Sequence, residues 1–203
     1  MNKTISIAIL FLILIPTHVT FAQLSTAPND VAHAARDANS SESSLAIETA
    51  TLGQAKNVHR LGHLFFAGQF TEQDLTRIKE EGIERIITLR TDGELDWDEK
   101  AAVETEGIEF IAIPFRSPES LTDEVFNQVR EALAENDKPT LFHCGSANRV
   151  GGTWLAYRVL DEGVELDIAL AEAREIGLRA PFIEKKALDY IKRAPTLQPS
   201  SGS

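Results

Sequence analysis

The single cysteine of the chain, Cys144, is followed by four small residues and then by Arg149. Backbone N–H groups of such a loop can point inward and bind an anion, and a helix beginning after the loop adds its positive end. The planar guanidinium of an arginine can donate two hydrogen bonds to one phosphate. The pattern favours Cys144 as nucleophile and Arg149 as phosphate clamp, with phosphate also bound by Gly145, Ser146, Ala147, Asn148 and Val150.

A thiolate in this positive field is stabilised and is a strong nucleophile. The reaction that suits the loop is attack of sulfur on phosphorus, which forms a phospho-cysteine that water then hydrolyses. This chemistry needs neither a metal nor an organic cofactor. His59 and His63 lack the further ligands that a metal site requires, so we expect no metal site there. The structural alternative is that Cys144 is a small core residue and that Arg149 is solvated.

Composition restricts the class of protein. The 203 residues carry a formal net charge of −11 and are 43% hydrophobic. This balance predicts a globular protein that does not bind nucleic acid, because nucleic-acid binding requires a basic face. A lone cysteine also excludes a disulfide redox cycle within the chain.

The first 22 residues have the pattern of a secretory signal peptide. Lys3 precedes an apolar stretch that is short for a membrane span, and Ala22 closes a small-residue cleavage pattern. We therefore expect export to the periplasm or secretion, with no stable membrane anchor after cleavage. Residues 23–60 are rich in small polar residues and are predicted to be a flexible linker. Residues 194–203 are predicted to be a disordered tail.

The domain between these segments, residues 61–193, alternates strand and helix patterns. Short apolar, β-branched runs predict strands at 64–68, 85–89, 109–113 and 139–143, and helical periodicity is found between and after them. Such alternation predicts an α/β three-layer sandwich with a four- or five-stranded, mainly parallel sheet. Ligands of such sheets bind beyond the carboxyl ends of the strands, which is where Cys144 lies.

Residues 58–191 resemble the protein-tyrosine/dual-specificity phosphatase superfamily, and most closely its atypical bacterial branch, the beta-lactamase-hydrolase-like phosphatase domains. The Cys144-to-Arg149 loop carries the resemblance, with the stretches 66–69, 88–94 and 153–160 as further points of likeness. It implies a cysteine phosphatase-like fold. It also implies hydrolysis of phosphate monoesters on a phosphorylated protein or a small phosphoester, with Cys144 as nucleophile and Arg149 as clamp.

Three departures from the superfamily pattern leave alternatives open. The loop has four residues between cysteine and arginine where five are usual. This length is typical of rhodanese-like sulfurtransferases that carry a persulfide, and the atypical bacterial branch also has it, so loop length alone does not decide between them. Val150 stands where a serine or threonine is usual, and the loop expected to hold an aspartate general acid has none. Glu119, Asp123 and Asp92 are the candidate acids; Asp123 also fits a first-turn helix residue. The other readings are a Cys144 persulfide sulfurtransferase and a non-catalytic phosphate-binding module.

Overall fold

The computed structural model describes residues 46–135 and 137–194, and these residues belong to one compact unit. The predicted signal peptide, most of the predicted linker and nearly all of the predicted tail lie outside the described residues. The strands are β1 Glu48–Thr49, β2 His59–Leu61, β3 Leu64–Ala67, β4 Arg85–Thr88, β5 Glu109–Ala112 and β6 Thr140–His143. After a 3₁₀ turn at Glu72–Asp74, the helices are α1 Leu75–Glu80, α2 Glu99–Thr105, α3 Asp123–Ala134, α4 Asn148–Leu160, α5 Leu166–Ile176 and α6 Pro181–Arg193.

Capping and periodicity explain why α3 forms where it does. The Thr122 hydroxyl accepts a hydrogen bond from the Val125 N–H at 3.4 Å, and two acidic residues occupy the first turn. Phe126, Val129 and Leu133 recur at helical spacing and are buried. The helix therefore buries one apolar face against the sheet side of the domain.

The sheet has the strand order β1-β2-β3-β6-β4-β5 among the described residues. Strands β3, β6, β4 and β5 are parallel, whereas β1 and β2 pair antiparallel. The predicted mainly parallel α/β architecture is confirmed. The predicted strand number is too low, because a short antiparallel extension at one edge brings the total to six.

This extension corrects the predicted end of the flexible linker. Residues 46–60 contain β1 and the start of β2, and within them Leu52 and Val58 are buried. Polar residues surround these two apolar side chains, so the segment shows little hydrophobic periodicity. It folds because β1 pairs with β2 and β2 pairs with β3, and because the two apolar side chains pack into the core.

The core has two layers, one on each face of the sheet. Successive side chains of a strand point to opposite faces, so neighbouring residues enter different clusters. Phe66, Ile87 and Phe142 pack against the layer of α3 to α6, and Phe65, Ile86 and Leu141 pack against that of α1 and α2. Helices on both faces make the predicted three-layer sandwich and leave the carboxyl ends of the parallel strands accessible to ligands.

A buried ion pair ties three helices together behind the sheet. Arg130 of α3 has a side chain only 1% exposed and donates to Asp161 Oδ2 and Oδ1 at 2.6 and 2.8 Å. It also donates to the Tyr190 hydroxyl of α6 at 2.7 Å, and Asp161 follows the end of α4. Each of the three guanidinium nitrogens thus donates to an acceptor, and pairing of this kind is the condition for a buried charge to be tolerated.

Replacing Asp161→Asn is predicted to lower the free energy of unfolding by about 3–5 kcal/mol, because the Arg130 charge stays buried without its counter-charge. The matched control is Glu81→Gln, which removes a carboxylate from the surface pair with Arg77. Surface pairs contribute at most about 1 kcal/mol. Chemical denaturation of both variants measures the difference, and equal losses would contradict the role assigned to the buried pair.

Candidate active site around Cys144

Cys144 lies directly beyond the carboxyl end of the central strand β6. Its N–H donates to the Ala67 carbonyl at the end of β3 at 3.2 Å, and the Leu89 N–H after β4 donates to His143 O at 3.1 Å. The cysteine is 1% exposed. The ends of β3, β4 and β6 thus fix Cys144, the candidate nucleophile, at the start of a loop beyond the carboxyl ends of the strands. This is the position that the strand pattern predicts.

The loop that follows turns sharply into α4 through Ala147, whose φ of 65° lies in the left-handed region. A non-glycine residue in this region costs about 1–2 kcal/mol. No protein acceptor within the described ranges takes a hydrogen bond from the N–H groups of Gly145, Ser146, Asn148 or Arg149, and no side chain caps the start of α4. The loop therefore offers several backbone donors and a helix N-terminus to an anion.

Contacts from a distant segment hold the loop in this shape. The Asn57 side-chain amide donates to the Ile176 carbonyl at 2.6 Å and to the Ser146 carbonyl at 3.4 Å, joining the loop to the end of α5. A Cβ on Gly68 would lie 3.2 Å from Gly145 O and 3.3 Å from Ser146 Cα. Only glycine lets the backbone after β3 approach the loop this closely without displacing it.

Arg149 is turned inward and held by a carboxylate. Its Nη1 and Nη2 atoms donate to Glu94 Oε1 and Oε2 at 2.9 and 2.7 Å, and Nη1 also donates to the carbonyls of Leu89 and Phe115 at 2.8 and 2.7 Å. Nη2 lies 3.6 Å from the position of a Cβ on Gly145. The guanidinium is fixed from behind while its Nη2 edge faces the cysteine loop.

The pair keeps both groups charged. Burial opposes ionisation of Glu94, but hydrogen bonds from Arg149 and Thr91 outweigh it and lower the pKa of Glu94 from 4.5 to about 2. Burial likewise opposes the charge of Arg149, yet Glu94 and the nearby Cys144 sulfur raise its pKa above the ordinary arginine value. A permanent positive charge therefore lies beside Cys144.

Two of the residues predicted to bind phosphate, Asn148 and Val150, have side chains that are directed away from the loop. The Asn148 side chain points away from the loop and accepts from the N–H groups of Arg179 and Ala180, where α6 begins. The Val150 side chain is fully buried in the apolar core, so only its N–H remains for an anion. Thr153, the next hydroxyl, donates to carbonyls of its own helix and is buried.

His143 is buried and faces α2 across the sheet edge. Its Nε2 lies 3.1 Å from Glu99 Oε1, without the alignment of a hydrogen bond, and its ring centroid is 4.8 Å from that of Phe70. Glu99 is itself buried. The acidic run from Asp92 to Glu99 thus supplies two inward carboxylates, Glu94 and Glu99.

The three candidate general acids occupy different positions. Asp123 is in the first turn of α3, paired with Arg193 at 2.7 Å, and Glu119 is exposed on its loop. Asp92 is also exposed, but it lines a cavity of about 740 Å³. The other residues lining that cavity are Thr91, Pro114, Phe115, Arg116, Ser117, Pro118, Ser120 and Phe182. Since the Phe115 carbonyl accepts from Arg149, the cavity adjoins the clamp.

Two further findings concern the described part of the chain. Residues 46–135 and 137–194 contain no group of three or more histidine, cysteine or acidic side chains that could hold a metal ion. None of the helices in the same ranges is both long enough and apolar enough to cross a membrane.

Comparison with protein families gives one match. Residues 61–160, a little under half of the chain, match the model described as beta-lactamase hydrolase-like protein, phosphatase-like domain. Among curated proteins no sequence relative was found. The resemblance inferred from the cysteine loop is therefore confirmed for this part of the chain.

Solved structures share the fold. P. aeruginosa TpbA aligns with a TM-score of 0.59 at 20% identity, covering 76% of this chain and 93% of TpbA. A TpbA variant in complex with pTyr gives 0.58 at 19% identity, with coverages of 75% and 92%. A DUF442 protein from Shewanella putrefaciens CN-32 gives 0.59 at 18% identity, with coverages of 71% and 97%. At these identities the likeness establishes the fold alone.

Replacing Glu94→Gln is predicted to destabilise the protein by about 1.5–3 kcal/mol at neutral pH, because a charged, bidentate contact is lost. The folded-state pKa of Glu94 lies below its unfolded value of about 4.5, so its contribution is complete above pH 4.5 and lost as the pH falls towards 2. The stability gap between the natural protein and the variant should therefore shrink between pH 4.5 and 2.

Urea unfolding at neutral pH, at pH 4.5 and at pH 3 measures this gap. Glu104→Gln, a carboxylate on the surface of α2, is the matched control and should show no comparable gap at any of these values. A Glu94→Gln gap that stays constant over the whole range would contradict the ion pair.

Proposed function

Taking residues 61–160 as a beta-lactamase hydrolase-like phosphatase domain, we propose that the protein is a cysteine-dependent phosphatase that hydrolyses phosphate monoesters through a phospho-cysteine on Cys144. One observation carries the proposal. Arg149 is fixed inward by Glu94 while the loop N–H groups around Cys144 have no protein acceptor in the described ranges. This arrangement suits a group with several negatively charged oxygens bound above the sulfur.

The reaction follows from the placement of these groups. The Cys144 thiolate attacks phosphorus, an S–P bond forms, and the P–O bond to the leaving group breaks with its electron pair moving to that oxygen. The loop N–H groups and Arg149 hold the nonbridging oxygens as charge spreads over them. Water then attacks phosphorus, the S–P bond breaks, and phosphate leaves with the thiolate restored.

Of the three candidate general acids, Asp92 is the one that lines the cavity, and we assign the role to it. Protonated, it donates a proton to the leaving oxygen; ionised, it then takes a proton from the attacking water. Asp92 lines the cavity beside Phe115, whereas Asp123 of α3 is paired with Arg193 of α6. Asp92 comes from the loop after β4, not from the loop after β5 where the superfamily pattern places the acid.

The same cavity supports a substrate whose phosphate is attached to an apolar or aromatic body. Pro114, Phe115, Pro118 and Phe182 give it apolar walls, and Phe182 is 36% exposed. A cavity of this kind suits the body of a small ligand. The complex of the related TpbA fold with pTyr agrees with such a body, so we infer either a phosphorylated protein or a small aryl phosphoester as substrate.

A sulfurtransferase remains the second candidate because the cysteine loop has four residues before its arginine. In that reaction Cys144 carries a persulfide and passes its outer sulfur to an acceptor. We also infer export, to the periplasm or beyond the cell, from the signal pattern of residues 1–22.

The purified protein is predicted to release phosphate from an aryl phosphate, and Cys144→Ser is predicted to abolish this release because a serine hydroxyl is a far weaker nucleophile here. The same preparations are offered thiosulfate with cyanide. Cysteine-dependent thiocyanate formation would favour the sulfurtransferase. No activity in either assay would favour a non-catalytic phosphate-binding module.

Asp92→Asn is predicted to slow hydrolysis of alkyl phosphates by about 10²–10⁴-fold, the usual effect of losing a general acid. Aryl phosphates, whose leaving oxygens need less protonation, should lose much less. Asp123→Asn, the matched control on α3, should leave kcat for both substrates nearly unchanged. A larger loss in Asp123→Asn than in Asp92→Asn would overturn the assignment of the acid.

A further inference from the structure

A second arginine, Arg90, lies beside the cysteine loop. It is two residues beyond the end of β4 in the chain. Its side chain is only 9% exposed. Its Nη2 atom donates to the Glu94 carbonyl, which anchors one end of the guanidinium. Its Nη1 lies 3.9 Å from the position of a Cβ on Gly145, the same point that Arg149 Nη2 approaches to 3.6 Å. Two guanidinium groups therefore converge beside one loop residue.

The Nε and Nη1 donors of Arg90 have no hydrogen-bond acceptor among residues 46–135 and 137–194. Its Nε is buried and has no hydrogen-bond partner among the described residues. Leaving a donor of a charged group buried and unpaired costs free energy, and buried polar groups normally have partners. An unpaired guanidinium edge next to an anion-binding loop indicates a ligand that accepts hydrogen bonds.

The charge balance of the site points to an anion. Glu94 is the carboxylate shared by the two arginines, but its oxygens bind Arg149 at 2.9 and 2.7 Å and approach Arg90 Nη2 only to 3.9 Å. Two fixed positive charges thus face one carboxylate, whose hydrogen bonds are directed at Arg149. While Cys144 carries its proton the site therefore has a positive excess, which favours negative charge on the sulfur or on a bound phosphate group.

We propose that Arg90 is a second guanidinium of the phosphate site, whose Nε and Nη1 donate to nonbridging oxygens of the phosphoryl group held on the Cys144 loop. The inference rests on the proposed function, since it assigns a binding role at the same site. It also gives the short loop a physical explanation. With four residues between cysteine and arginine, the loop has one N–H fewer than the five-residue form, and Arg90 supplies the missing donors.

The first test measures binding of inorganic phosphate by calorimetry in a Cys144→Ser background, where no turnover can occur. Adding Arg90→Gln is expected to weaken phosphate binding about 10- to 100-fold, the effect of losing hydrogen bonds to a charged group. Arg90→Lys, which keeps the charge but not the fork, should give an intermediate loss. Arg77→Gln removes an equal charge from exposed α1 and should change binding less than about twofold.

A second measurement distinguishes direct phosphate binding by Arg90 from a role in which Arg90 only holds Glu94 in position. Cys144 in the otherwise natural chain is alkylated with anionic iodoacetate and with neutral iodoacetamide, and the ratio of the two rates reports the local positive field. Arg90→Gln should lower this ratio several-fold. A structural role alone would slow or speed both reagents together and leave the ratio unchanged.

The outcomes distinguish this inference from the proposed function. Weaker phosphate binding together with a lower alkylation ratio supports Arg90, even if no phosphate ester is hydrolysed, in which case the proposed function alone fails. Phosphate binding equal to the parent, or an unchanged ratio, overturns the assignment. Failure of the Cys144→Ser parent itself to bind phosphate overturns both.

Discussion

The ion pair between Arg149 and Glu94 is the contact on which the geometry of the site depends. A guanidinium only 13% exposed would be costly without a counter-charge, and Glu94 supplies one with two short hydrogen bonds. The carbonyls of Leu89 and Phe115 fill further donor positions behind it. Because these partners approach from behind, the charge is held inward while Nη2 stays beside the loop. The residues after β4 and after β5 are thereby connected to the start of α4.

The loop itself is held in an unfavourable conformation by its surroundings. Ala147 adopts a left-handed backbone while its side chain is fully buried in the core. Asn57 and the close approach of Gly68 fix the neighbouring carbonyls. A loop fixed in this way keeps its N–H groups oriented before any ligand arrives, so little ordering cost remains to be met on binding. The buried apolar layers on both faces of the sheet provide the rigidity that this requires.

Much of this could be predicted from the sequence, and the remainder shows where local patterns stop being informative. The parallel strands and the helices α5 and α6 have strong periodicity, and the position of Cys144 at a strand end followed from it. Strands β1 and β2 are two and three residues long; β1 pairs with β2 and β2 with β3, and this pairing stabilises them more than any sequence pattern of their own. Asn57 lay in the segment predicted to be a linker.

The supporting residues of the site were harder to recognise because they act across the fold. Glu94 and Arg90 belong to the stretch 88–94, which resembles the phosphatase family, but charged residues in loops are usually solvated. Only the tertiary structure shows that Glu94 faces Arg149, 55 residues away in sequence. The sequence also did not show the roles of Asn148 and Val150: the Asn148 side chain accepts from the two N–H groups that precede α6, and the Val150 side chain packs in the core.

The central claim is that this framework makes the surroundings of Cys144 favourable for negative charge, on the sulfur and on a bound phosphoryl group alike. The most direct test is the rate of alkylation of Cys144 by iodoacetamide as a function of pH, with and without inorganic phosphate or vanadate. Because Cys144 is the single cysteine, the rate can be followed without interference from other thiols. The account predicts that either anion slows the alkylation. A rate that neither anion changes would contradict it.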